Sequence, residues 1–269
     1  MTLRKQRGAP VSSRSSSRLS SGYKDEVYAN GSPNGDYGIL RRLSAWGVHA
    51  FTASGVVLGL LALLAAVDGD ARLCLGWLGL ALVVDGVDGT LARRASVKEV
   101  LPGIDGSVLD LVIDYLTYVV VPAVLMYRFG LFPTGLGVPL AAWILMTSLY
   151  CFSNTGMKSG DNYFVGFPAI WNVVALYLWT LALNPWINTA VVVVLGLLTF
   201  TTVKFLHPFR VRRWMRVNLL VSAAWLASSA ALVALHPARP DTVWVIWLAS
   251  SAYYAAVCAW RTLRGPVEA

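Results

Sequence analysis

Asp85-Gly-Val-Asp88-Gly89-Thr-Leu-Ala92-Arg93 and, twelve residues on, Gly106-Ser-Val-Leu-Asp110-Leu-Val-Ile-Asp114 put four carboxylates within thirty residues of a largely apolar chain. Asp85 and Asp88 are three apart, and Asp110 and Asp114 are four apart. On helices, each pair lies on one face. A carboxylate near a bilayer centre costs roughly 2.5–3.5 kcal/mol, so four cost about 10 if uncompensated. Clustered carboxylates are commonly offset by a hard divalent cation with oxygen ligands.

The surrounding chain is membrane-like. Of 269 residues, 57% are hydrophobic and only 13% charged, against about 25% charged in soluble domains. The mean hydropathy is +0.60. A spanning helix needs about 20 apolar residues. Eight such segments are expected, at about 47–67, 71–92, 107–128, 135–153, 165–183, 186–206, 214–235 and 243–262. Gly, Pro and charged clusters mark the breaks, including Asp68-Gly-Asp70, Asn184-Pro185, His207-Pro208 and His236-Pro237. Trp46, Trp179, Trp186, Trp244 and Trp260 fall near span ends, where indole favours the interface. The fold class is therefore all-α, a polytopic membrane bundle. Residues 1–36 read as a disordered cytoplasmic tail, 37–46 as a short interfacial helix, and 47–264 as the transmembrane domain. Residues 1–45 hold no apolar core of the secretory type.

Lys and Arg set the orientation. With both termini cytoplasmic, nineteen of the 22 basic residues fall inside, and only Arg72, Arg128 and Arg239 fall outside. All four aspartates then lie in the cytoplasmic halves of spans 2 and 3, which form an antiparallel hairpin. The net charge of +8 reads as topology signal and anionic-lipid contact, not nucleic-acid binding. Cys74, Cys151 and Cys258 are far apart and show no CxxC spacing, so they read as packing residues. A cation transporter would spread its acids across the bilayer and commonly shows an inverted repeat; neither pattern is present.

Four carboxylates on two helices suit one or two Mg²⁺ or Mn²⁺ ions, metals that bridge phosphates. Gly86, Gly89 and Ala92 leave one flank of span 2 bare, so a nucleotide phosphate can approach the backbone. Arg93 adds a fork-shaped phosphate or base donor, and Gly106 opens span 3 in the same way. Asp105 reads as a loop or cap acid, His49 and His207 as helix-end hydrogen bonders, and Thr52 and Ser54 as back-bonded to their helix.

The pattern Asp-x2-Asp-Gly-x2-Ala-Arg…Gly-x3-Asp-x3-Asp, complete in Asp85, Asp88, Gly89, Ala92, Arg93, Gly106, Asp110 and Asp114, resembles the signature of the CDP-alcohol phosphatidyltransferases. Most members of that family have about eight residues between Arg and Gly. The longer gap here, eight spans, and the stretches Trp77–Asp85, Tyr115–Tyr118, Met157–Pro168, Trp171-Asn172 and His207–Arg210 are similar to the bacterial branch that uses choline. The resemblance covers about residues 46–260 and places the protein in the bacterial inner membrane with its site facing the cytoplasm.

The resemblance implies transfer of a phosphatidyl group from CDP-diacylglycerol to choline with release of CMP, and a homodimer. It implies Asp85, Asp88, Asp110 and Asp114 as metal ligands, with Asp114 also the general base. Asp85, Gly89, Ala92, Arg93 and Gly106 would bind nucleotide. Choline has a quaternary ammonium that donates no hydrogen bond, so aromatic faces and a carboxylate must hold it. Asp161, Tyr163, Trp171, Tyr115 and Tyr118 are candidates, and Arg210 and Arg213 are candidates for lipid phosphate. No Ser, Cys or His in the motif offers a covalent nucleophile, which favours single displacement. Another alcohol acceptor is the alternative within the family.

Overall fold

Local chemistry sets the helix boundaries around the motif. Gly69, at φ 84°, ends the first helix in the left-handed conformation. Asp70 then caps the second, its Oδ1 accepting from the Leu73 amide at 2.9 Å. Asp105 caps the third long helix by accepting from the Ser107 amide at 2.9 Å, the cap role read from sequence. The computed structural model describes residues 37–265, so the tail assigned to 1–36 lies outside the described residues.

The helices are α1 (Ile39–Asp68), α2 (Ala71–Arg94), the single turn α3 (Val97–Val100), α4 (Gly106–Arg128), α5 (Gly137–Ser153), α6 (Trp171–Leu181), α7 (Pro185–Leu198), α8 (Met215–Leu235) and α9 (Asp241–Arg264). Among the described residues, α1, α2, α4, α8 and α9 are long and apolar enough to cross a membrane, while α5, α6 and α7 are shorter apolar helices. Each of the eight expected spans thus carries a helix, and the chain is an all-α multi-pass membrane protein.

Two differences from the sequence reading matter. Residues read as a separate interfacial helix are the first turns of α1. Its 30 residues extend about 45 Å, beyond a hydrocarbon core of roughly 30 Å. Spans 5 and 6 are trimmed at the ends away from their shared Asn184-Pro185 turn, because residues 154–170 and 199–214 leave helix to form a small cap. Its strands β1 (Phe164–Val165) and β2 (Lys204–Phe205) pair antiparallel, Phe164 with Phe205 and Val165 with Lys204.

Within α4, Tyr115–Val120 is a π-helical turn. Pro122 follows it, lacking an N–H and crowding the carbonyl four residues back, at Tyr118; widening the turn accommodates both effects. Glycines bring α1 against α4. A Cβ on Gly55 would stand 2.8 Å from Ile113 Cγ2, and one on Gly59 would stand 2.8 Å from Leu116 Cδ2. The main core gathers side chains of α1, α2 and α4 to α9 around fully buried Trp171 and Trp247. Both indoles are satisfied, by Ser148 Oγ at 2.8 Å and Ser229 Oγ at 3.0 Å.

Candidate active site

The α2–α4 hairpin brings the aspartates together. One carboxylate oxygen from each of Asp85, Asp88 and Asp110 lies within 4.8 Å of the other two. Asp114 is one turn further along α4 and adjoins Asp85. Tyr118, on the π turn, donates its hydroxyl to Asp85 Oδ2 at 2.7 Å. The carboxylates border a cavity of about 10 Å³, also lined by Thr52 and Gly55 of α1 and by Thr117, close to the volume of one water-sized guest.

None of the four aspartates forms a salt bridge; among the described residues, the ion pair is Arg261 with Asp161. Three carboxylates, Asp88 buried and Asp85 and Asp110 half-buried, converging without a direct cation form an oxygen donor set that fits a hard divalent ion. Asp114 lies outside that set of three.

The remaining motif residues surround this centre. Arg93 is exposed and donates to Thr90 Oγ1 at 3.0 Å, with its Nη1 3.4 Å from the Cβ position of Gly89. The space left by Gly86 faces the Phe209 ring at 3.6 Å, so the cap reaches the flank that read as bare. Ala92 packs beside Ala45, Val97 and Val100, joining α1, α2 and α3. Gly106 meets His49, whose Cε1 would be 3.3 Å from an added Cβ. His49 Nε2 is buried without a hydrogen-bond partner, unlike the helix-end bonding expected of it. Thr52 lies beside Asp88, closer to the site than back-bonding to its helix implied, while Ser54 does bond back, to Phe51 O at 2.6 Å.

The residues read as a choline cage do not converge. Tyr118 stands at the aspartates, whereas Tyr115 donates to Leu145 O at 3.0 Å. Trp171 is fully buried against Phe167. Asp161 accepts from Arg261 Nε at 2.6 Å, and Tyr163 is buried beneath the same guanidinium. That hydrogen bond holds the Asp161 carboxyl below the usual carboxylate range. The Arg213 guanidinium lies 4.8 Å from the centres of both the Trp214 and Trp260 rings.

Sequence reasoning passed over Lys158 and gave Arg210 only a minor part. Burial and Arg210 lower the affinity of the Lys158 ammonium for its proton, while Asp110, Asp114 and Asp85 oppose that shift. Burial, Arg210 and Lys158 together push His207 down to about 4, so its imidazole is neutral near pH 7. The one available signal was that both cations sit in short loops on the side where the aspartates were expected.

No family model matches the chain. Curated relatives do. A phosphatidylcholine synthase of Pseudomonas aeruginosa is 56% identical over 225 residues, covering 84% of this chain and 94% of the relative. A phosphatidylcholine synthase of Mesorhizobium japonicum is 44% identical over 190 residues, 71% of each chain. One of Brucella melitensis is 41% identical over 201 residues, covering 75% of this chain and 72% of the relative.

Proposed function

This chain belongs to the bacterial phosphatidylcholine synthase family, and we propose that it makes phosphatidylcholine by transferring a phosphatidyl group from CDP-diacylglycerol to choline. The observation that carries the reading is the convergence of Asp85, Asp88 and Asp110 beside Asp114, on the hairpin where family membership calls for phosphoryl-transfer machinery.

The choline oxygen attacks the lipid-side phosphorus, a new P–O bond forms, and the bond to CMP breaks. Asp114 takes the hydroxyl proton as that bond forms. Asp85, Asp88 and Asp110 would hold Mg²⁺ or Mn²⁺, which, when bound, neutralises charge on the diphosphate. Tyr118 fixes the Asp85 carboxylate, so one oxygen keeps its aim. Arg93, on an exposed turn of α2, is free to swing from Thr90 onto the nucleotide, with Gly89 and Gly106 leaving backbone accessible. For choline, the Tyr118 ring and the Asp114 carboxylate supply the aromatic face and negative charge that a quaternary ammonium needs; Asp161, Tyr163 and Trp171 are engaged elsewhere. The site faces the cytoplasm of a bacterial inner membrane, a placement supported by the strong Lys/Arg asymmetry. A homodimer is the family expectation, which the mass of the detergent-solubilised particle tests.

Purified protein given CDP-diacylglycerol and labelled choline should release CMP in step with labelled lipid. Release with a different alcohol and none with choline would move the assignment to another acceptor.

A further inference from the structure

The loops above the aspartates form one built unit. Lys158 bridges Phe164 on one side and Phe205 pairs with it on the other. The His207 ring stacks on Phe164, with centroids 5.1 Å apart and planes 6° from parallel. Lys158 and the segment 205–210 are therefore neighbours by backbone pairing. Phe209 packs on Gly86, next to Asp85 in sequence, which brings Arg210 beside the start of the motif.

This unit is latched from α9. Arg261 holds Asp161 at 2.6 Å, Thr262 Oγ1 accepts from the Lys204 amide at 2.9 Å, and Cys258 Sγ accepts from the Leu206 amide at 3.3 Å. Both cation-bearing loops are thus fixed to one rigid helix, which suits groups whose position matters.

Among the described residues, neither Lys158 nor Arg210 is in a salt bridge. Each is nevertheless close enough for its charge to be felt at the other and at the aspartates. Holding two like charges together costs energy unless an anion joins them. Choline is a cation and gains nothing here, whereas the diphosphate of the other substrate matches in sign and in number of charges.

Resting on the proposed transferase reading, we infer that Lys158 and Arg210 form a two-cation clamp for the diphosphate of the CDP-linked lipid, closing over it from the side opposite Asp85, Asp88 and Asp110. Lys158 acts as a point charge and Arg210 as a planar fork.

The test uses full-length protein in detergent or nanodiscs, with Lys158→Ala, Arg210→Ala, Lys158→Arg and, for equal charge loss away from the site, Arg239→Ala. Initial rates are measured against CDP-diacylglycerol at saturating choline, then the reverse. Each alanine variant should lose on the order of tenfold or more in kcat/KM for CDP-diacylglycerol, with KM for choline unchanged. Lys158→Arg should recover part of the loss, and Arg239→Ala should match wild type. Unchanged CDP-diacylglycerol kinetics in both alanine variants, or a loss confined to choline KM, would overturn the clamp. The rise in melting temperature that CDP-diacylglycerol gives wild type should also shrink in both variants, and an equal rise in all proteins would count against it. This second readout needs no turnover. Wild type stabilised by CDP-diacylglycerol yet inert with choline would therefore sink the acceptor assignment and leave the clamp standing.

Discussion

Tyr118 donates its hydroxyl to Asp85 Oδ2 across the two helices that carry the motif, at 2.7 Å. The donor sits on the π turn of α4, and such turns recur at functional sites. A residue that orients a metal-binding carboxylate typically contributes 10–100-fold to metal affinity or activity. Tyr118→Phe keeps the ring and removes the donor. We expect kcat to fall by about tenfold or more and the Mn²⁺ or Mg²⁺ activation midpoint to rise, as read from rates over a metal titration. An unchanged midpoint would mean that Asp85 needs no such orientation.

Asp114 adjoins Asp85 but lies outside the group of three whose oxygens converge within 4.8 Å. If it serves as base while the others hold metal, the two losses separate. Asp114→Asn should lower kcat by about 10²–10⁴-fold with little change in the metal activation midpoint. Asp88→Asn should shift that midpoint strongly. Equal shifts in both variants would place Asp114 among the metal ligands.

The Asp161–Arg261 pair gives the cap a pH limit. Hydrogen bonding to Arg261 holds the folded Asp161 carboxyl below its ordinary value. Its stabilising contribution is therefore complete above the unfolded carboxylate value of about 3.9 and is lost as pH falls through the lower folded value. Wild type should melt higher than Asp161→Asn at neutral pH, and the gap should close below about pH 4. A gap that persists under strongly acidic conditions would contradict this latch.

Gly166 supports the same cap through its backbone. Its φ of +81° suits glycine, and an added Cβ would stand 2.5 Å from the Thr199 carbonyl oxygen. Because that neighbour is backbone, it cannot swing aside. Gly166→Ala should cost about 2 kcal/mol or more, measured by thermal denaturation in detergent. Loss of activity should parallel loss of the folded cap.

Much of this arrangement was legible in the chain. The intramembrane cost of four acids marked Asp85, Asp88, Asp110 and Asp114, and helical spacing put each pair on one face. Asp105 was readable as a cap because its role is local. The cap was not readable, since Phe164 pairs with Phe205 forty residues away and both segments are apolar enough to pass for span ends. The same ambiguity misled the search for choline. An aromatic near a span end has one sequence signature whether it faces headgroups or, like Trp171, fills the core. Asp161 looked free because Arg261, its partner, lies a hundred residues on.

That distance has a consequence for the making of the protein. Every motif residue from Asp85 to Asp114 leaves the ribosome well before Cys258, Arg261 and Thr262, which fasten both loops above the aspartates. A nascent chain therefore carries a complete set of acids under an open roof until α9 inserts. Translation order then predicts that lipid chemistry waits for the finished bundle. A chain stopped before Cys258 should insert, retain all four aspartates and release no CMP.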